Sequence, residues 1–167
     1  MKLKDIVNKY FKTFLEDTPY LKVLKEFEKH KLNYAIITNK FGEVIGIITS
    51  SDLYNVAFPG FNELHYYMEH NSIQEFINDR NKEIYTKPIK NFMTRNPEYI
   101  DEKESVIEAA AIMKAYKIKQ LLVYEDNKLL GVLTIHDLIK NLIIKRDLKK
   151  IKNRLEELEH GFKEEIL

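Results

Sequence analysis

The sequence predicts an α+β chain made of two βαββα units packed about a pseudo-twofold axis, and three observations predict it. The first is a repeat: residues 42–56 read GEVIGIITSSDLYNV and residues 127–141 read NKLLGVLTIHDLIKN, sharing Gly-apolar-apolar-Thr-x-x-Asp-Leu. The second is a matched pair of helical stripes, Tyr20, Val23, Leu24 and Phe27 against Val106, Ala109, Ala110 and Met113. The third is an argument from size. Four apolar residues per helix and two or three short strands enclose little core alone, so the two copies are expected to pack face to face.

Each copy reads in the same order. A helix (residues 19–27 or 105–113) leads to a short apolar run (35–38 or 121–124), then to a polar turn, NKFGE or EDNK, and a second apolar run ending in Thr49 or Thr134. The turns are too short for a crossover connection, so each pair of runs is expected to be an antiparallel hairpin. Phe27 and Met113 are 86 residues apart while Asp52 and Asp137 are 85 apart, which places a one-residue difference in the turn. Thr49 and Thr134 then open the next helix. Between the copies, residues 58–87 begin Phe-Pro-Gly and carry Leu64, Tyr67, Met68, Ile73, Phe76 and Ile77, a pattern of two short amphipathic helices. In the tail, Leu148, Ile151, Leu155, Leu158 and Phe162 alternate in steps of three and four, a short heptad seam that suits a dimer contact or a helix folded back on its own domain.

Composition excludes several function classes. Lys and Arg number 27 against 26 Asp and Glu, so a net charge of +1 supplies no overall field toward nucleic acid or membrane. The chain has no Cys, which removes thiolate nucleophiles, disulfides and sulfur-ligated metals and suits a cytoplasmic protein. No apolar run approaches the roughly 18 residues of a membrane span. No Ser or His stands in a recognisable nucleophile setting, and His65 and His70 are five apart, so they do not stack on one helix face as a zinc pair would; an enzyme is not expected. A basic run from Lys140 to Arg154 offers a local contact for nucleic acid, but Glu156, Glu157 and Glu159 follow it, as on a solvated helix.

The repeat resembles the CBS (cystathionine β-synthase) domain, a regulatory unit that occurs in pairs. The second copy carries Phe92, Met93, Thr94 and Pro97, then Ile118, Leu121, Val123 and GVLTIHDL; the first has Val7-Asn8 for Met-Thr and Phe11 for Pro, but keeps GIITSSDL. The resemblance implies a tandem pair: a first CBS domain over residues 1–57, a helical insertion over 58–87, a second CBS domain over 88–145 and a C-terminal amphipathic helix over 146–167.

Thr-x-x-Asp at a helix start is a capping box, and that alone explains the residue types. The same corner also offers free N–H groups and a hydroxyl suited to phosphate, and a carboxylate suited to a ribose diol. These two readings stay open on the residues themselves. The resemblance implies that the corners bind adenosine derivatives in clefts between the copies. By position, one cleft combines Thr134, His136 and Asp137 with Asn8, Thr13, Leu32 and Asn33; the other combines Thr49, Ser51 and Asp52 with Thr94, Tyr99, Ile118 and Lys119. Tyr99 is bulkier than the family pattern. His136 and Lys119 each place one positive charge near a mouth, which favours AMP, ADP or ATP over S-adenosylmethionine. No catalytic cofactor or metal is implied; the adenine nucleotide is a regulatory ligand. The implied partners are that small molecule, a second copy in a homodimer and an effector protein to which the signal passes. The alternative is a ligand-free dimeric scaffold.

Overall fold

A computed structural model of the chain describes residues 2–58, 60, 65, 68, 78 and 82–144. They divide between two compact units, one within Phe11–Pro97 and the other within Met1–Tyr10 and Glu98–Leu167. In the first, β1 (Thr13–Leu15), α1 (Tyr20–His30), β2 (Tyr34–Thr38), β3 (Val44–Thr49) and α2 (Ser50–Ala57) are followed later in the chain by β4 (Thr94–Arg95). In the second, β5 (Tyr99–Asp101), α3 (Val106–Ala115), β6 (Gln120–Glu125), β7 (Lys128–Thr134) and α4 (Ile135–Leu138) repeat that order, and a π-helical stretch, Ile139–Ile144, continues α4.

The expected hairpins are present and share one register. β2 and β3 are antiparallel, as are β6 and β7, with β1 and β5 parallel on their outer edges. A bulge follows the pairs Ile37↔Gly46 and Val123↔Gly131 alike, so the one-residue difference falls in the turn. The shorter turn carries Asp126 and Asn127 at φ 47 and 62, the left-handed pair a two-residue hairpin needs. In the longer one Gly42 takes φ 83, and the Asn39 side chain accepts from the N–H groups of Phe41 and Glu43.

The stripes read from the sequence face the cores. Tyr20, Val23 and Phe27 are buried with Ile37 and Ile48; Val106, Ala109 and Met113 are buried with Leu121, Val123 and Leu133. Burying that apolar area is the main favourable term, at about 25 cal/mol per Å². Both stripe helices end on a left-handed lysine, Lys31 (φ 51) and Lys117 (φ 54), where glycine has no Cβ to strain. Lys31 also forms an exposed ion pair with Glu28. Lys31→Gly is expected to raise stability by ~0.5 kcal/mol, the relief of left-handed strain less the flexibility of glycine, read as a higher urea midpoint at unchanged m.

The segment that leads each repeat lies with the hairpin of the other repeat. Leu3, Ile6 and Val7 join the core of the unit that holds β6 and β7, Lys2 bridges to Ser105, and Asn8 bridges to Val132. Correspondingly Ile89, Phe92 and Met93 pack in the unit that holds β2 and β3, Pro88 bridges to Pro19, and Thr94 pairs with Ile47. The domain limits expected from the sequence follow chain order; the compact units trade these leading segments. Of the insertion, Leu64, Tyr67, Ile73, Phe76 and Ile77 lie outside the described residues, Met68 is exposed, and Ile84 is buried near its end. The tail seam from Leu148 to Phe162 also lies outside them.

Candidate functional site

Thr49 ends β3 in extended backbone and caps α2, and Thr134 does the same between β7 and α4. The bonds at the two corners match. The Thr49 N–H donates to Asp52 Oδ2 at 2.8 Å, its hydroxyl donates to the same oxygen at 2.7 Å, and the Asp52 N–H returns a bond to Thr49 Oγ1 at 3.3 Å. At the second corner the corresponding distances, Thr134 to Asp137 and back, are 2.9, 2.6 and 3.2 Å. The capping reading therefore holds at both.

These geometries limit what the corners offer a ligand. A hydroxyl has one proton, and here each Thr places it on the carboxylate of its own cap. The first helical N–H is also taken: Ser50 donates to the Asn33 carbonyl at 3.0 Å and Ile135 to the Lys119 carbonyl at 3.1 Å. Among the described residues, the N–H groups of Ser51 and His136 and the Oδ1 atoms of Asp52 and Asp137 take no hydrogen bond. Each half-buried corner thus keeps one backbone donor and one carboxylate oxygen, complementary to an anionic oxygen and a hydroxyl.

The other predicted site residues divide between the units. Thr13, Leu32, Asn33 and Thr94 lie with Thr49, Ser51 and Asp52; Asn8, Tyr99, Ile118 and Lys119 lie with Thr134, His136 and Asp137. Thr94 pairs with Ile47, two residues before Thr49. Asn8 exchanges both backbone bonds with Val132, two residues before Thr134, at 3.1 and 3.0 Å, and its side chain accepts from the Tyr10 N–H. Thr13 and Tyr99 begin β1 and β5, and the Tyr99 ring stands exposed, edge-on to Tyr124 with centroids 5.7 Å apart. Burial, and then Tyr99, push the Tyr124 phenol above its ordinary range.

Leu32 and Asn33 line a groove of about 560 Å³ with Ser50 and Tyr54. Ile118 and Lys119 line its counterpart, about 340 Å³, with Ile135. Neither groove is lined by the Thr or Asp of its own corner.

Sequence reasoning missed the role of two glycines. A Cβ on Gly131 would collide with the Asn8 carbonyl oxygen and lie 2.9 Å from Val7 Cγ2; one on Gly46 would collide with Met93 Sδ and lie 2.9 Å from the Thr94 carbonyl oxygen. The Gly of each Gly-apolar-apolar-Thr run admits the leading segment that lies on it. Its recurrence in both copies was the available signal.

The CBS domain profile matches residues 3–58 and 89–144. An uncharacterized protein of Methanocaldococcus jannaschii is 30% identical over 156 residues, covering 86% of this chain and 92% of its own length. An uncharacterized protein of Rickettsia prowazekii is 30% identical over 124 residues, 74% of this chain, which spans only 32% of that protein's length. Among solved structures, CBSX2 in complex with AMP aligns with a TM-score of 0.64 at 18% identity, covering 87% of this chain and 98% of that one. The CBS domain pair of protein MJ0100, in complex with 5′-methylthioadenosine and S-adenosyl-L-methionine, aligns at 0.62 with 25% identity and the same coverages. Two profile matches, each coinciding with one helix–hairpin–helix repeat and its Thr-x-x-Asp corner, show that the chain belongs to the CBS domain family as a tandem pair.

Proposed function

We propose that this CBS pair is a regulatory, non-catalytic module that binds an adenine nucleotide at its Thr-x-x-Asp corners. The observation that carries this reading is that the Oδ1 atoms of Asp52 and Asp137 take no hydrogen bond among the described residues. A cap needs only one carboxylate oxygen, and here Oδ2 makes both side-chain bonds, which leaves the second oxygen to accept a ribose hydroxyl. The adenosine-type ligands carried by CBSX2 and by the MJ0100 pair support the choice of ligand class. A phosphate-bearing nucleotide is favoured at the second corner. Lys119 and His136 lie in the unit of Thr134, where the first repeat has Asn33 and Ser51 at the equivalent positions. In this reading the protein is a cytoplasmic homodimer, and occupancy is passed to an effector protein.

The test is a melting curve of ligand-stripped protein with AMP, ATP and S-adenosylmethionine. At a hundred times its Kd a native-state ligand adds about 2.7 kcal/mol, worth roughly 5 to 10 °C at this chain length. Asp137→Asn keeps a carbonyl oxygen for the cap and turns an N–H₂ donor toward the ligand, so it separates binding from folding. It is expected to melt within about 2 °C of wild type and to lose most of the nucleotide shift at that corner. Asp52→Asn reports on the other. No shift with any of the three ligands overturns the proposal in favour of a ligand-free scaffold.

A further inference from the structure

The two corners match in their caps but differ in what holds the backbone behind them. At the first, Tyr20 of α1 donates its hydroxyl to the carbonyl of Leu53, the residue after Asp52, at 2.7 Å. The second repeat has Val106 in place of Tyr20 and so has no hydroxyl there. It has instead Asn141, only 9% exposed, whose Nδ2 donates to the carbonyl of Asp137 itself at 2.8 Å. The first repeat carries Val56 at that position, half-buried against its apolar core. Each repeat therefore has one donor to the backbone of its corner, drawn from a different element, and lacks the donor of the other.

We propose that Asn141 is a positioning residue for the second corner: it holds Asp137 so that one carboxylate oxygen caps the helix and the other is presented to the ligand, an assignment that rests on the nucleotide reading of that corner. Burying an amide costs free energy that a valine at the same place avoids, so packing alone does not account for the asparagine. Its place in the helix does. α4 spans only Ile135–Leu138, against eight residues in α2, and the backbone turns π-helical at Ile139. There the hydrogen bonds shift from the fourth to the fifth residue back, and Asp137 lies beside that junction. An asparagine four residues on reaches its carbonyl. With its N–H on Thr134 Oγ1 at 3.2 Å and its carbonyl on Asn141, Asp137 is held at both ends, which limits how far its carboxylate can swing. This hold is local, whereas Tyr20 and Leu53 are 33 residues apart, so the two corners are set independently.

Valine and threonine have nearly the same shape and differ by one hydroxyl, which in a helix donates to the carbonyl four residues back, so Asn141→Val and Asn141→Thr isolate the bond. Both are made in the full chain carrying Asp52→Asn, where one corner reports. Asn141→Val is expected to melt within about 2 °C of that background, since the first repeat already accepts valine there. Amide exchange at Asp137 should quicken roughly tenfold and calorimetric affinity for AMP or ATP should fall roughly tenfold, the loss of one hydrogen bond. Asn141→Thr is expected to restore most of both. Equal exchange in the two variants, or unchanged nucleotide affinity in Asn141→Val, overturns the proposal and leaves Asn141 a packing residue. Absence of AMP and ATP binding in the unsubstituted chain overturns the nucleotide reading instead, and the exchange comparison still decides whether Asn141 holds the corner.

Discussion

Gly131→Ala is expected to cost about 2–3 kcal/mol and lower the melting temperature by roughly 5 to 10 °C, the larger loss of the two corner glycines. The new methyl would meet the Asn8 carbonyl oxygen, which accepts from the Val132 N–H while the Asn8 N–H donates to the Val132 carbonyl, so relief requires the leading segment to lift away from β7. At Gly46 the nearest obstacle is the sulfur of the flexible Met93 side chain rather than backbone, and the Thr94 carbonyl oxygen, at 2.9 Å, overlaps less than the Asn8 oxygen does at Gly131. Gly46→Ala is accordingly expected to cost about half as much. Thermal melts give the order, and hydrogen exchange at the Asn8 amide shows whether the leading segment has been released. Equal costs at the two sites would mean that the backbone contact at Asn8 is not the one that matters.

Tyr20→Ala is expected to be more severe, about 3–5 kcal/mol, because the side chain is fully buried and joins three parts of its unit. Its ring stacks on Tyr85 at 6.5 Å and meets Phe92 edge-on at 5.4 Å, and its hydroxyl donates to the Leu53 carbonyl at 2.7 Å. Burial, and then Tyr85, hold the phenol above its ordinary range, so it stays a neutral donor at physiological pH. Tyr20→Phe removes only that bond and should cost about 1 kcal/mol. Because Leu53 follows Asp52 directly, both changes are expected to loosen the first corner while leaving a nucleotide shift at the Asp137 corner intact, as calorimetric titration of each variant would show. A Tyr20→Phe loss as large as that of Tyr20→Ala would assign the stability to the hydroxyl rather than to the ring.

Much of the fold was legible because it rests on local chemistry. The stripes of Tyr20 to Phe27 and Val106 to Met113 follow from helical periodicity, the hairpins from short polar turns, and the caps at Thr49 and Thr134 from a side chain and an N–H three residues apart. The corner Asp residues were legible as candidates for the same reason. Their free oxygen was not, since which of two equivalent carboxylate atoms serves the cap depends on the placed side chain.

The sequence by itself determined the order of elements, the two-copy architecture and the identity of the corners, all properties carried by neighbours within a few positions along the chain. Only the tertiary structure decided that residues 3–8 lie on β7 and residues 89–95 on β3, so that each compact unit borrows its leading segment from the other repeat. It alone also decided that the Thr hydroxyls bond within their own caps and that Tyr20 and Asn141 each hold the backbone of one corner. The physical reason is the same in each case. Partners far apart in sequence are chosen by close packing and by which donor reaches which acceptor, and neither periodicity nor spacing encodes that choice.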